Sequence, residues 1–184
     1  MSSDIILIGP IGAGKSTVGS LLATRMGLPQ RSMDEYRWNY YKEIGYDEEL
    51  AKYKRETEGF WGIYQYWKPF EAYAVERLLS EYKNCVIDFG AGHSVYEDNS
   101  LFQRVQQVLV PYSNIVLLLP SLDLDESVQI LNERNEYFPD GNLNINEHFV
   151  RHHSNHDLAK FTVYTKAKTP EETCNEILQL VGAA

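Results

Sequence analysis

The residues with the clearest chemical consequence are Gly9-Pro10-Ile11-Gly12-Ala13-Gly14-Lys15-Ser16-Thr17, in the pattern G-x-x-x-x-G-K-[ST]. Glycines let successive backbone N–H groups curl inward around phosphate oxygens, the lysine reaches the terminal phosphates, and the first hydroxyl is a ligand for Mg²⁺. Gly12, Ala13, Gly14, Lys15, Ser16 and Thr17 are therefore the expected nucleotide-binding set. A glycine-rich turn without a ligand is the competing reading. A chance match to the pattern in a chain of this size is on the order of one per cent, before its context is counted.

Two acids are expected beside that loop. Gln30 to Met33 reads as a short strand that delivers Asp34, and Asn84 to Phe89 as an apolar strand that ends in Asp88. In an open α/β sheet ligands sit beyond the carboxyl ends of strands, which puts both carboxylates next to the phosphate loop. Asp34 is then a candidate to orient or deprotonate a hydroxyl, and Asp88 a candidate to hold Mg²⁺ together with Ser16. Each acid is also a natural cap, Asp34 for a helix starting at Glu35 and Asp88 for a turn. Gly90 and Gly92 mark either close backbone approach to a ligand or a tight turn.

The elements that must carry these residues follow from periodicity. Ile5-Ile6-Leu7-Ile8 precedes the loop as a buried strand, and Val18, Leu21, Leu22 and Met26 follow it at helical spacing, stopped by Gly27-Leu28-Pro29. Asn114 to Leu119 and Phe161 to Tyr164 complete a set of five strands alternating with helices, an α/β, doubly wound, parallel sheet flanked by helices. Between Tyr36 and Tyr73 the chain is helical in tendency and dense in aromatic rings, divided by Gly45, Gly59, Gly62 and Pro69. Those rings are core or the walls of a pocket. Asp123 with Glu126, and Thr169-Pro170 with Glu172, resemble capping boxes. Tyr137 to Asn146, with Pro139-Asp140-Gly141-Asn142, reads as a mobile lid between helices. A helix over Ile145 to Leu158 would carry His148, His152 and His156 on one face, a spacing for zinc or simply a polar surface.

Composition excludes other classes. Seventeen basic against twenty-six acidic residues give a net charge of −9, which argues against a nucleic-acid surface. No apolar run reaches membrane-spanning length, no secretory segment precedes Ile5, and Cys85 and Cys174 both fall on apolar faces. The expectation is a single cytoplasmic domain over residues 1–184 with reduced cysteines. Nothing in the sequence sets an oligomeric state.

The phosphate loop after the first strand, the chain length and the late lid resemble the nucleoside-monophosphate-kinase group of P-loop proteins, and within it most closely shikimate kinase. The resemblance covers nearly the whole chain. It implies ATP and Mg²⁺ as cofactors and a small hydroxylated acceptor as partner, bound by a helical region over about 35–82 and closed by the lid. It also implies acceptor contacts from Asp34, from Gly90, Ala91 and Gly92, and from Arg151, and a catalytic role for Arg134 near the lid. Two departures are visible: Gly59-Phe60 is followed by Trp61 where the family has arginine, and Ala91 replaces the middle glycine of three. The resulting expectation is a less cationic pocket and shikimate as a poor acceptor, unless Arg37 or Arg55 restores the clamp. A nucleoside, nucleotide or antibiotic kinase, and a nucleotide-binding regulator, are the alternative readings.

Overall fold

The first strand, β1 (Ile5–Ile8), is buried along its whole length because it has a hydrophobic layer on each side. Ile5 and Leu7 pack with Val18, Leu22, Cys174 and Ile177, whereas Ile6 and Ile8 pack with Val75, Leu78, Val105 and Leu109. A strand covered on both faces has to be apolar throughout rather than alternating. The computed structural model describes residues 4–134 and 144–182. From β1 the chain runs through α1 (Lys15–Met26), β2 (Gln30–Ser32), α2 (Met33–Glu43), α3 (Glu48–Glu81) and β3 (Val86–Asp88) to a 3₁₀ turn (Ala91–Ser94). It continues through α4 (Asn99–Leu109), β4 (Ile115–Leu119), α5 (Leu124–Arg134), α6 (Ile145–Arg151), α7 (His153–Leu158), β5 (Phe161–Tyr164) and α8 (Pro170–Leu180).

The strands form one parallel sheet in the order β2-β3-β1-β4-β5. β1 is central, and the chain leaves it to one side for β2 and β3 before crossing to the other for β4 and β5. The loop after β1 therefore opens at the point where the winding direction reverses, the usual ligand crevice of such sheets. Among the described residues no helix is long and apolar enough to cross a membrane.

Several elements differ from their sequence-based boundaries. The second strand ends at Ser32, which takes the N-cap position of α2, so Asp34 sits inside the first helical turn and caps nothing. Of the four breakers between Tyr36 and Tyr73, Gly45 ends α2 region and Gly59 (φ 69°) kinks α3, but the helix runs on through Gly62 and Pro69. A proline inside a helix costs about 3 kcal/mol. Burial of Phe70, Val75, Leu78 and Leu79 on the following turns outweighs that at about 1.5–3 kcal/mol per side chain. Asp123 caps α5 by accepting from Asp125 N at 2.9 Å and Glu126 N at 3.2 Å, yet the Glu126 side chain pairs with Lys166, so this is not a capping box. Thr169 and Glu172 do form one, with Pro170 at the first helical position of α8. The single helix expected over 145–158 is two, because His152 adopts an extended ψ of 129° between α6 and α7. Of the lid expected over 137–146, residues 137–143 lie outside the described residues; Asn144 caps α6 by accepting from Glu147 N at 3.1 Å.

Candidate active site

Gly9 makes the loop's exit from the sheet feasible: at φ 136° a Cβ would stand 2.5 Å from the Leu118 carbonyl oxygen of adjacent β4. The loop then reaches α1, whose N-cap Gly14 supplies no side chain, leaving the first-turn N–H groups directed at the cleft. Such an N-terminus attracts anions through its unpaired N–H groups and its dipole. Lys15 lies folded over the loop and is only 8% exposed. Its Nζ donates to Gly9 O at 2.9 Å and Pro10 O at 2.8 Å. Burial lowers its pKa to about 8, against the opposing pull of the Asp34 and Asp88 carboxylates.

Strand register puts Asp88 opposite Leu7 on one side and Ser32 on the other. Its Oδ1 accepts from Ser16 Oγ at 2.9 Å and Ser32 Oγ at 2.8 Å, and Oδ2 accepts from Gln30 Nε2 at 2.7 Å. A buried carboxylate is tolerated because three donors, one from α1 and two from β2, converge on it. From the far side, Arg134 at the end of α5 donates through Nη1 to Gly12 O at 3.2 Å, which brings its guanidinium to the mouth of the loop.

Lys15, Ser16 and Thr17 line a first cleft of about 270 Å³, and Arg37, Arg55, Phe60, Tyr64 and Trp67 line a second of about 360 Å³. Ile11, Asp34, Gly90 and Ala91 belong to both, so Asp34 stands on the wall between a phosphate-sized space and a metabolite-sized one. Of the aromatic stretch, Phe60, Tyr64 and Trp67 are wall, whereas Tyr40, Tyr41 and Phe70 are core.

Three expectations meet the geometry here. Arg151 ion-pairs with Asp125 and with Glu147 on its own helix; among the described residues the guanidinium groups lining the cavity are those of Arg37 and Arg55. Trp61 is 41% exposed, stacked on Tyr64, and the α3 cation that reaches the Gly90–Gly92 turn is Lys68, two turns further along. Its Nζ donates to Gly92 O and Val95 O, both at 3.0 Å, and pairs with Glu71 at 2.5 Å. Lys68 is thus neutralised by Glu71, and the cations that line the cavity are Arg37 and Arg55, the two expected as candidates to restore the clamp. The histidine face is also broken. His148 and His152 gather with Glu97, whereas His156 Nε2 donates to Val150 O at 3.1 Å as a separate contact. Glu97 accepts from Tyr64 at 2.9 Å and contacts His148 Nε2 at 2.8 Å. His152 Nδ1 accepts the Ser154 N–H as a helix cap, which in the neutral ring leaves Nε2 protonated and unable to ligate a metal.

Sequence reasoning missed the buried Lys68–Glu71 pair and His93. Lys68 and Glu71 were legible as opposite charges at i, i+3 on an otherwise apolar helix face. His93 is 1% exposed, and burial, with Arg37 nearby, pushes its pKa down to about 3.

A parallel sheet with a phosphate loop at its switch point, an acid at the end of the neighbouring strand and a second cavity joined to the first define a P-loop kinase. The shikimate kinase family profile matches residues 11–182, and the chain belongs to that family. Shikimate kinase of Streptomyces coelicolor is 30% identical over 183 residues, covering 96% of this chain and 94% of the relative. That of Enterococcus faecalis is 29% identical, covering 96% of each. The structure of shikimate kinase from Acinetobacter baumannii in complex with shikimate shares the fold, with a TM-score of 0.64 at 22% identity over 98% of this chain and 93% of that one. The protein is an ATP-dependent small-molecule phosphotransferase.

Proposed function

We propose that the protein transfers the γ-phosphoryl group of ATP to a hydroxyl of a small acceptor that also carries an anionic group, seated in the cavity lined by Arg37 and Arg55. The observation that carries this reading is that Asp34 belongs to both cavities. A hydroxyl held there meets a carboxylate on one side and the transferred group on the other. Asp34 orients the hydroxyl and takes its proton, and Lys15, the α1 N–H groups and Arg134 stabilise charge on the transferred phosphoryl. Ser16 and Asp88 suit Mg²⁺, since they pair hard oxygen ligands 2.9 Å apart, Ser16 on the lining of the phosphate cleft and Asp88 buried directly behind it. Mg²⁺ supplies neutralisation of charge on the phosphate oxygens. The Arg37 and Arg55 guanidinium groups hold the acceptor's anion, an interaction for which their planar forks are well shaped. A cytoplasmic location belongs to the same reading and is supported by the buried, unpaired state of Cys85 and Cys174. An ADP-release assay over hydroxylated carboxylates, sugars, nucleosides and aminoglycosides tests it. Shikimate, the ligand of the Acinetobacter protein, is the first acceptor to try, and stimulation by neutral acceptors alone would refute the reading.

A further inference from the structure

Beside Asp34, two buried nitrogens lack a hydrogen-bond partner among the described residues, Arg37 Nε and His93 Nδ1. Arg37 Nε stands 3.6 Å from Asp34 Oδ1, beyond hydrogen-bond range. His93 lines the acceptor cavity from the 3₁₀ turn. Its Nδ1 and Asp34 Oδ1 both border one point: a Cβ added to Gly90 would lie 2.8 Å from the first and 3.1 Å from the second. The Gly90 carbonyl beside the ring already takes the backbone N–H of His93 at 2.9 Å.

The opposite ring nitrogen settles the tautomer. His93 Nε2 lies 3.2 Å from Tyr41 Oη, and Tyr41 is 1% exposed. Among the described residues His93 is the hydrogen-bond partner of that hydroxyl, so the phenol satisfies its O–H by donating to Nε2. The proton of the neutral imidazole then resides on Nδ1, on the side of Asp34. An unpaired buried N–H is costly, and the Asp34 carboxylate that borders the same point is the natural acceptor.

We propose that His93 is a positioning residue for Asp34: Tyr41 fixes its tautomer, and its Nδ1–H donates to the Asp34 carboxylate and holds it toward the transferred phosphoryl group. Arg37 Nε assists from the other side. The Asp34 side chain is 60% exposed in the cleft, so without such donors it would sample many orientations. The catalytic part of this inference rests on the proposed role of Asp34 in phosphoryl transfer; the hydrogen bond does not.

Long-range proton–nitrogen correlation spectra of the ¹⁵N-histidine-labelled protein, with His93→Gln for assignment, test the bond directly. The expected result is an Nδ1–H tautomer for His93, with the Nδ1 proton moving when Asp34→Ala is introduced at its exposed site. An Nε2–H tautomer, or an Nδ1 signal indifferent to Asp34→Ala, overturns the proposal. Kinetics supply the second arm. His93→Ala is expected to lower kcat about 10- to 100-fold with the KM for ATP unchanged, and His93→Asn, which keeps an N–H near the Nδ1 position, to recover most of it. Equal losses in the two variants, or an unchanged kcat in His93→Ala, also overturn it. If the spectra behave as expected while no acceptor is phosphorylated by the wild type, the hydrogen bond stands and the kinase reading of Asp34 is what fails.

Discussion

Ser16 Oγ donates to Asp88 Oδ1 across 2.9 Å, although 72 residues separate them. The contact joins the first turn of α1 to the end of β3 and holds the Asp88 carboxylate directly behind Ser16, which lines the phosphate cleft. Asp88→Asn would turn an acceptor into a partial donor in front of Ser16, Ser32 and Gln30, all of which donate to it. We expect a stability loss of about 1–3 kcal/mol, read as a lower Tm. The Mg²⁺ concentration for half-maximal turnover should rise by about tenfold or more; an unchanged Mg²⁺ dependence would remove Asp88 from the metal site.

Lys15 gives a pH dependence with two opposite signs. Burial holds its pKa near 8 against an ordinary 10.5, so between those values the native state binds fewer protons than the unfolded chain. Stability contributed by this group therefore rises with pH across that window. Nucleotide binding needs the charged ammonium, so ATP affinity should fall above pH 8 and binding should take up a proton. Calorimetry at pH 8.5 in buffers of different ionisation enthalpy measures that uptake; zero uptake would contradict it. Lys15→Ala should abolish transfer with the fold intact.

Asp34→Asn should lower kcat by about 10²–10⁴, the usual range for a removed general base, with little change in the KM for ATP. Asp34 is not part of the buried core, so its thermal unfolding should match the wild type. A kcat within threefold of wild type would show that the hydroxyl needs no carboxylate.

Gly92→Ala tests the packing behind the acceptor cavity. An added Cβ would lie 2.9 Å from Glu71 Cδ, and Glu71 cannot swing freely because Lys68 holds it at 2.5 Å in a buried pair. Overpacking of this kind costs about 1–3 kcal/mol. Chemical denaturation reads it, and wild-type stability would mean that the pair yields at no cost.

The nucleotide half of the site was legible because its chemistry is local. Gly9 to Thr17 fixes the loop by itself, and Asp34 and Asp88 were placed by the rule that strand ends meet at the switch point. The acceptor half depends on which face of a long helix turns inward, and a kink at Gly59 resets that face for everything after it. Register along α3 puts Lys68 against the Gly90–Gly92 turn, and although its i, i+3 pairing with Glu71 is visible in the sequence, what the pair faces is not. Arg151 was expected at the acceptor from the resemblance, and its side chain pairs here with Glu147 on its own helix and with Asp125, a partner that no local pattern announces. His93 carried no signal at all, since its meaning comes from Tyr41, 52 residues away.

The most direct test of the central claim is the steady-state kinetics of ADP release with hydroxylated carboxylates, shikimate first, for the wild type and Arg55→Ala. The account expects acceptor-dependent turnover in the range of about 1–10³ s⁻¹ for the wild type. In Arg55→Ala the acceptor KM should rise about tenfold or more, the effect of one lost charge-assisted pair, with the KM for ATP unchanged. ADP release that is equally slow with and without every hydroxylated carboxylate, or an acceptor KM indifferent to Arg55, would contradict it.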